Sequence, residues 1–572
     1  MVDLDVYRAG RTPVPGSQLA WELTGTGLGS FGRDGRPTTI PVARPGPREL
    51  LCRIDAAGLC FSDIKILTLG SAHPRIAGRD LKTDPVIMGH EVALTVVEVG
   101  EERKGEYQVG DRFVVQADIF YQGQGLAFGY ALPGALEQFV LIGKEILEGD
   151  EGTYLIRVKP ETGYAEAALS EPWACVERSY RASHRTTLAP GGRAFVAVAP
   201  GTHTAGLTWG RLSVGPWPEH ALVTRLVPAD LRTPLEAAAE TIEEVACPMC
   251  AAGSGQQFDD MILIGDFDPE AIEACGKALA KGGVLCLIRT TPVPRKVDLD
   301  VGRIHYDDTH YLGAAGPDIS EGYASRDSDV KPGGKAWFIG AGGPMGQMHV
   351  QRACEAVNGP ALIVATDVDT ARLATLPERY GAAAAETGTR LICLNPKDLS
   401  PKGFEARLRE LAPEGFDDIV CLAPVPALIG GAMDHIGPEG VLSIFAGVGR
   451  GTIANLDLTP VFARRARMTG TSGSAISDLE FTLHKTERCE LSPNRSVAAI
   501  GGMVAAHEGL EAVKSGAFAG KIVIYPQIPD LRLTPLEKLK DVLPEVAAKL
   551  GPGDTWTREA EAELVRRRTA TA

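Results

Sequence analysis

An internal repeat constrains the fold more than any other feature of this 572-residue sequence. The segment PGGRAFVAVAPG at residues 190–201 matches PGGKAWFIGAGG at residues 332–343 without a gap. Each match is a short apolar run followed by a helical stretch, which is typical of βαβ units around a parallel sheet. Three further matched pairs follow in the same order, beginning at residues 215 and 359, 258 and 416, and 310 and 467.

An alternative is that any two sheets of this kind look alike, because buried parallel strands draw on few residue types. The repeated Phe-Asp-Asp, at Phe258 and at Phe416, favours a true repeat instead. We therefore expect two related copies of a doubly wound α/β sheet. The fold class predicted for the whole chain is α/β, with a β-rich domain preceding these two sheets.

The pattern along the chain predicts four parts. Residues 1–188 are β-rich, with short Val/Ile/Leu runs cut by glycine and proline. Residues 189–328 hold the first copy, and residues 329–480 hold the second. Residues 481–572 contain one more helix-like stretch, a last strand and a tail that we predict to be a polar helix with a frayed end, without an assigned role.

The composition favours a cytoplasmic protein. The net charge of −15 argues against nucleic acid or an anionic membrane as the main partner. No signal peptide is expected from the first residues, and no apolar run approaches membrane-spanning length. The 11 cysteines are scattered, many within strand-like apolar runs, which indicates a reduced compartment rather than a disulfide framework.

The second copy carries the parts of a dinucleotide-binding turn. Its glycines allow two frames, one of which reads Ala341-x-Gly343-x-x-Gly346 with alanine in the first position. The following strand ends at Asp367, 24 residues beyond Gly343, where a carboxylate binds ribose hydroxyls and repels a 2′-phosphate. This favours NAD over NADP. The predicted cofactor-binding residues are Gly343, Pro344, Met345, Gly346, Asp367 and Arg372.

The first copy lacks these parts. Thr204 stands where Gly346 stands, Pro200 and Thr202 crowd the turn, and Leu226 is aligned with Asp367. We therefore predict that this copy keeps its sheet but does not bind a dinucleotide in the usual mode.

The β-rich part contains a set of potential zinc ligands. Cys60 and Ser62 share the GLCFSD loop, His90 and Glu91 lie in GHE, and Glu171 is the second residue of SEPWAC. Thiolate, imidazole and carboxylate are the ligands of catalytic zinc sites that keep one position open. An open position would bind a substrate hydroxyl and lower its pKa.

A lone Cys-x-x-Cys pair, Cys247 and Cys250, lies within the first copy. Because no second pair is nearby, we interpret these two residues as core cysteines of a helix.

These motifs together resemble those of the zinc-dependent medium-chain dehydrogenases, most closely the sorbitol dehydrogenases and L-sorbose-1-phosphate reductases. The resemblance covers nearly the whole chain apart from one Rossmann-like copy and the tail. It rests on GLCFSD, GHE, VGDRFVV, SEPWA, GPMG and GKIVIYP. It implies a GroES-like fold for residues 1–188, completed by the C-terminal segment, with the substrate in a cleft against the nucleotide domain.

The resemblance also implies roles for the residues. Cys60, His90 and either Glu91 or Glu171 would hold zinc, and the other glutamate would contact the zinc-bound water or bind the metal in an alternate state. Ser62 would begin the proton relay. The predicted catalytic residues are therefore Ser62, Cys60, His90 and Glu171, and the predicted metal ligands are Cys60, His90, Glu91 and Glu171. Because the four-cysteine structural lobe of many relatives is absent, we expect one zinc ion per chain.

The extra copy departs from the family pattern. Family members commonly dimerise by joining their nucleotide-domain sheets edge to edge, and an unpaired sheet edge needs cover. We therefore expect the first copy to act as a built-in partner, giving an intrachain pseudo-dimer, with further homo-oligomerisation left open. The alternative is that this copy lines the substrate cleft with His305 or His310.

The predicted activity is an NAD-dependent, zinc-assisted conversion between a secondary alcohol and a ketone on a polyol or sugar, with or without a phosphate group. One alternative enzyme keeps NAD bound and recycles it during epimerisation or elimination. Another alternative is a non-catalytic NAD-binding scaffold. Arg178, Arg181 and Arg185 are candidates for phosphate recognition, although solvated surface arginines are the simpler interpretation.

Overall fold

A computed structural model describes residues 2–76, 78–325 and 328–569 of the chain. The polypeptide forms two compact units. The first consists of the residues up to Glu177, Gly343–Met348 and the residues from Gly473 onward. The second consists of Arg178–Gly342 and His349–Ser472, and therefore holds nearly all of both copies of the repeat. The four-part division by sequence remains a prediction.

The N-terminal part is rich in short strands. Its strands are β1 Ser17–Ala20, β2 Glu22–Leu23, β3 Thr38–Pro41, β4 Leu50–Gly58, β5 Val86–Ile87, β6 Glu91–Val99, β7 Arg112–Val115, β8 Phe120–Tyr121, β9 Gln124–Gly125, β10 Phe139–Ile142 and β11 Leu155–Arg157. Its helices are α1 Leu4–Arg8, α2 Phe61–Leu69, α3 Lys144–Leu147, α4 Tyr164–Ala168 and α5 Ser170–Arg181.

The two copies follow. The first has β12 Arg193–Val198, β13 His220–Thr224, α6 Ala229–Ala238, β14 Thr241–Val245, α7 Pro248–Ala252, β15 Phe258–Ile264, α8 Pro269–Ala278, β16 Leu279–Ile288, β17 Val297–Asp300, α9 Val301–Tyr306 and β18 His310–Ala314. The second has β19 Lys335–Ile339, α10 Pro344–Glu355, β20 Leu362–Thr366, α11 Thr370–Glu386, β21 Arg390–Leu394, α12 Pro401–Leu411, β22 Phe416–Cys421, α13 Pro426–Ala432, β23 Ile436–Ile444, β24 Ile453–Leu456, α14 Thr459–Ala463 and β25 Arg467–Thr469.

The C-terminal part alternates helices and strands. It has α15 Ile476–Glu487, β26 Val497–Gly502, α16 Ala506–Ser515, β27 Lys521–Tyr525, β28 Thr534–Pro535, α17 Leu539–Val542, α18 Pro544–Ala547 and α19 Arg558–Arg568.

The first unit is built on one mixed sheet of strands from both ends of the chain. The strand order is β11-β7-β6-β4-β27-β26-β28, and β10 also pairs with β4. The β4–β27 ladder places Val523 opposite Gly58, so the C-terminal strands complete the sheet that begins near the N-terminus. Every residue of β4 is buried, which shows that the centre of the sheet is covered on both faces.

The second unit contains two parallel sheets of six strands each. Their orders are β14-β13-β12-β15-β16-β18 and β21-β20-β19-β22-β23-β25. When only the six strands of each sheet are counted, leaving out β17 and β24, both orders read 3-2-1-4-5-6, the doubly wound arrangement of dinucleotide-binding domains. The predicted fold class, a β-rich domain with two Rossmann-like sheets, is confirmed.

The repeated Phe-Asp-Asp has the same structural role in both copies. Asp259 accepts a hydrogen bond from the backbone N–H of Arg193 at 2.8 Å, and Asp417 accepts one from that of Lys335 at 2.9 Å. The next aspartate of each copy, Asp260 or Asp418, accepts the backbone N–H of the residue just before the Pro-Gly-Gly turn. These carboxylates attach the loop before the first strand to the fourth, which explains why the motif recurs.

The copies differ at the nucleotide-binding position. In the second copy the first strand leads into the twelve-residue helix α10. In the first copy the described residues between β12 and β13 contain no α-helix, only a loop and a short 3-10 turn at Gly210–Val214. The strand registers also correct the alignment. Thr224 and Thr366 end equivalent strands, so Arg225, and not Leu226, stands where Asp367 stands.

The copies contact each other within the second unit. Strands β17 and β24 form an antiparallel two-stranded ladder with Val297 opposite Leu456. The edge strands β18 and β25 lie next to each other but are not paired by a hydrogen-bonded ladder among the described residues. A single apolar core contains residues of both copies, including Leu299 and Phe462.

The tail helix α19 is anchored within the first unit. Its Glu561 is buried and accepts hydrogen bonds from the backbone N–H groups of Tyr164 at 2.5 Å and Ala165 at 2.7 Å, and from the Tyr525 hydroxyl at 2.8 Å. The tail therefore caps α4, the helix just before α5. Among the described residues, every helix is too short or too polar to cross a membrane.

Candidate metal and cofactor sites

Cys60 lies in the turn between β4 and α2. Its backbone N–H donates to Asp63 Oδ2 at 2.9 Å, so the aspartate fixes the first turn of the helix. Ser62 is half-buried, and its Oγ lies 3.6 Å from the Cys60 Sγ. The sequence predicted this pair from the local motif, and the structure places both side chains at the end of the central strand.

His90 and Glu91 lie at the start of β6. Both are buried, and one ligand atom from each lies within 4.8 Å of the Cys60 Sγ and of the other. Glu91 faces Gly58 across the β4–β6 ladder. Three of the four predicted metal ligands are therefore brought together.

This donor set fits a zinc ion. Nδ1 of His90 and Oε2 of Glu91 are buried and have no hydrogen-bond partner among the described residues. Nδ1 lies 3.5 Å from Oδ1 of the buried Asp63, beyond hydrogen-bond geometry. Buried polar atoms normally have a partner, so two buried polar atoms without one fit a site that binds a cation. A thiolate, an imidazole and a carboxylate are ordinary zinc ligands.

Lys521 neutralises part of this site. It lies on β27, is buried, and forms an ion pair with Oε1 of Glu91. Burial alone would lower the pKa of Lys521, but Glu91, Cys60 and Glu171 together outweigh burial and raise it. The lysine therefore stays charged. Sequence reasoning missed it, although a lysine that begins the apolar run KIVIY is an available signal.

Neighbouring side chains also raise the pKa of His90. Burial would lower the pKa of His90, but Tyr130, Asp63 and Cys60 together raise it well above its ordinary value. Without a metal, the imidazole therefore gains a proton readily beside its acidic neighbours. A bound cation would replace that proton.

Glu171 lies in the first turn of α5 but not within the close set of ligand atoms. Part of its side chain is exposed, yet desolvation of the carboxyl group raises the pKa of Glu171 to about 7, opposed by His90 and reinforced by Glu91. The geometry therefore favours Glu91 over Glu171 as the third close ligand.

The nucleotide turn follows β19. Gly340 adopts a positive φ of 83°, which favours glycine. The N–H of Gly342 donates to Oδ2 of Asp367 at 2.9 Å, and a Cβ on Gly342 would lie 2.8 Å from the Cβ of Arg372. The turn is thus closed against the end of β20, and Asp367 is placed where the sequence predicted it.

The remaining predicted cofactor residues lie around the helix starts. Gly343 precedes α10, which begins with Pro344, Met345 and Gly346. Its carbonyl accepts the N–H of Gln347 at 2.9 Å, as in the first turn of a helix. Arg372 lies in the first turn of α11, where its Nε is 3.4 Å from Oδ2 of Asp369.

The first copy offers a different cleft. The carboxyl ends of its strands border a cavity of 470 Å³ that includes Thr202 and His203. His305 is buried, and its Nδ1 lies 3.1 Å from the carbonyl of Ile444 in the second copy. His310 is buried on β18. These two histidines lie where the copies meet rather than in an open cleft of the first copy.

Comparison with known proteins agrees with this architecture. Residues 46–147 match the model of the alcohol dehydrogenase GroES-like domain family. L-sorbose 1-phosphate reductase of Klebsiella pneumoniae is 22% identical over 95% of this chain and 97% of its own length. Mannitol-1-phosphate 5-dehydrogenase of Aliivibrio fischeri is 28% identical over 47% of this chain and 68% of its own length. The structure of 2R,3R-butanediol dehydrogenase from Bacillus subtilis aligns with a TM-score of 0.50 and 16% identity, covering 89% of this chain and 99% of that one.

Proposed function

Because this chain belongs to the zinc-dependent medium-chain dehydrogenase/reductase superfamily, we propose that it interconverts a secondary alcohol and a ketone on a polyol or sugar, using NAD(H). The single observation that carries this proposal is the buried group of Cys60, His90 and Glu91, whose ligand atoms lie within 4.8 Å of one another. A scaffold that only binds NAD has no need of such a group.

In this proposal Cys60, His90 and Glu91 hold one zinc ion per chain. When bound there, zinc supplies a Lewis acid that lowers the pKa of a substrate hydroxyl, and NAD supplies the hydride acceptor. Lys521 balances the charge of Glu91, so that two anionic ligands can be buried together. Glu171 lies beside the set and is assigned contact with water in the site.

Ser62 is assigned the first step of proton removal. Its hydroxyl lies 3.6 Å from the Cys60 Sγ and is only half-buried, so it is accessible both to the metal site and to water. Oγ would accept the proton of the substrate hydroxyl while its own proton passes to solvent. Asp63 holds the turn that carries Ser62, because it accepts the Cys60 N–H.

The second copy is assigned NAD. Oδ2 of Asp367 accepts the N–H of Gly342, and Oδ1 accepts that of Asp369 at 3.0 Å. Each oxygen has a second lone pair available for a ribose hydroxyl. The negative charge would repel a 2′-phosphate, which favours NAD over NADP.

The substrate is assigned to the phosphorylated polyols or ketoses. L-sorbose 1-phosphate reductase is similar to this chain over 95% of its length, and mannitol-1-phosphate 5-dehydrogenase is similar over 47%. The first name describes a reductase of a ketose phosphate, and the second describes a dehydrogenase of a sugar-alcohol phosphate. These similarities support the substrate class, and the test below includes substrates without phosphate.

We also propose that the first copy serves as a built-in partner for the second. The β17–β24 ladder, the shared apolar core and the contact from His305 to Ile444 support this assignment. One ion pair between the copies, Lys296 with Asp434 at 2.7 Å, also supports this assignment. The chain would then have one active site and an intrachain pseudo-dimer of sheets.

The test is turnover by zinc-loaded protein. The protein is mixed with NAD and a panel of polyols and polyol phosphates, and NADH is followed by its absorbance. We expect NADH release with a polyol phosphate, and its loss in Cys60→Ser. Conversion of a substrate without NADH release would support the recycled-NAD alternative, and no turnover of any polyol or ketose by zinc- and NADH-bound protein would reject the proposal.

A further inference from the structure

The Cys-x-x-Cys pair of the first copy is not in the core. Cys250 is exposed and Cys247 is half-buried. The expectation of core cysteines is therefore wrong. Both sulfurs lie outside the predicted metal and nucleotide sites, which leaves this pair without a role in the proposed oxidoreductase reaction.

The Cys247 sulfur lies against the backbone of Cys250. Cys247 immediately precedes α7, and its Sγ accepts the backbone N–H of Cys250 at 3.2 Å. Residues three apart in a helical turn have Cα atoms about 5 Å apart. Disulfides span Cα distances of about 4.4 to 6.8 Å, so the separation of these cysteines permits a bond between them.

The pair differs from the other cysteines of the chain. It is the only Cys-x-x-Cys among the 11 cysteines. The other exposed cysteine, Cys489, has no cysteine near it in sequence. The nearby Cys275 on α8 is buried, and burial, with a smaller effect of Cys247, raises the pKa of Cys275 to about 12. Cys275 therefore stays protonated and does not compete for the same reaction.

We propose that Cys247 and Cys250 form a thiol–disulfide exchange site that reacts with small disulfides such as that of glutathione. Cys247 is the attacking residue, because a backbone N–H bonded to its sulfur stabilises the thiolate. Cys250 is the resolving residue. A hydrogen bond between the two side chains raises the pKa of the Cys250 thiol, so the shared proton stays on Cys250.

The exchange takes two steps. The Cys247 thiolate, its proton lost to solvent, attacks one sulfur of glutathione disulfide and releases one glutathione, leaving a mixed disulfide. The Cys250 sulfur then attacks the Cys247 sulfur, loses its proton and expels the second glutathione. Two protein thiols are oxidised, and one glutathione disulfide is reduced to two thiols.

The product would join residues at the start of α7. This helix packs against α8, and its Ala251 is buried in the core. A disulfide across the first turn would therefore close the exposed corner of a packed helix without displacing the core.

The experiment uses the full-length, zinc-loaded protein and glutathione disulfide, followed by alkylation and peptide mass spectrometry. In the unsubstituted protein we expect a Cys247–Cys250 disulfide and no lasting glutathione adduct on either residue. Cys250→Ser should retain one glutathione on Cys247. In Cys247→Ser, the remaining Cys250 should react with glutathione disulfide about ten-fold more slowly than the pair does in the unsubstituted protein, because the stabilised thiolate is gone.

Cys489→Ser is the matched control, and the pair should oxidise in it as in the unsubstituted protein. The proposal is overturned if a mixed disulfide persists on the unsubstituted pair, or if the pair reacts no faster than Cys489. All of these variants are read by mass on folded protein, so the result does not depend on enzymatic activity.

Discussion

A Cβ on Gly58 would lie 1.9 Å from Oε2 of Glu91, the residue that faces it across the β4–β6 ladder. Only a residue without a side chain leaves room for the carboxylate in this position. The glycine of the central strand therefore sets the place of a proposed metal ligand, and the remaining contacts of Glu91 follow from it.

Substitution of Gly58 by alanine is expected to weaken zinc binding. The new methyl group would push the Glu91 carboxylate away from Cys60 and His90. Because displaced ligands and their supports change metal affinity strongly, we expect a loss of about 10- to 100-fold. Competition with a chelating dye measures it. Gly105→Ala, at a glycine with open space around it, is the control, and equal zinc affinity in both variants would contradict the account.

Removal of the Lys521 charge is expected to destabilise the zinc-free protein more than the zinc-bound protein. Lys521→Met leaves Glu91 buried without its partner, and breaking a buried pair costs roughly 3–5 kcal/mol. A bound cation would restore part of the balance. Thermal unfolding with and without zinc measures the effect. We expect Lys521→Met to lower the Tm more without zinc than with zinc. Lys521→Arg should lower the Tm less than Lys521→Met does. A loss that is the same in both states would show that Lys521 does not share its carboxylate with a metal.

Substitution of Asp367 by alanine is expected to weaken NADH binding by about ten-fold, since two ribose hydrogen bonds are lost, and to reduce the preference for NADH over NADPH. Fluorescence titration with each cofactor measures both effects. The matched control is Arg225→Ala, at the equivalent position of the first copy. An equal loss of NADH affinity in the control would place nucleotide in both copies.

The buried His349 is expected to make the second unit sensitive to acid. Burial, reinforced by Arg352, lowers the pKa of His349 to about 3, and its Nδ1 lies 2.6 Å from the Tyr180 hydroxyl. The unfolded chain takes up this proton below about pH 6.5. The stability present above pH 6.5 is therefore lost as the pH falls toward 3, at up to about 1.4 kcal/mol per pH unit.

His349→Gln removes this proton uptake while keeping a hydrogen-bonding side chain. Its Tm is expected to fall less than that of the unsubstituted protein between pH 7 and pH 5, even if its Tm at pH 7 is lower. A parallel fall in both proteins would mean that other groups dominate the acid sensitivity.

The sequence predicted the features that local motifs determine. Cys60, Ser62, His90 and Asp367 follow strand ends and turns that can be recognised from neighbouring residues, and the two doubly wound sheets follow from the repeat. Lys521 and Glu561 were not predicted as functional contacts. Each lies hundreds of residues from its partner, Glu91 or the start of α4, so no local spacing indicates the contact.

Two errors have physical causes of a similar kind. The alignment of Leu226 with Asp367 failed by one residue, because few residues are shared around the second strands and only the strand pairing fixes their register. The interpretation of Cys247 and Cys250 as core cysteines failed because their helix is short and lies at the surface. Cysteine is buried in most proteins, but the residue type alone does not show which cysteine lies in an exposed turn.

We expect the second copy to bind the cofactor and the first copy not to bind it. The most direct measurement is an equilibrium titration of NADH into zinc-loaded protein, read as the number bound per chain. We expect one NADH per chain. The first copy lacks a helix like α10 after its first strand, and it has Arg225 where the second copy has Asp367. Two per chain would contradict this expectation by showing that both copies bind nucleotide, and none bound to folded protein would reject the oxidoreductase assignment.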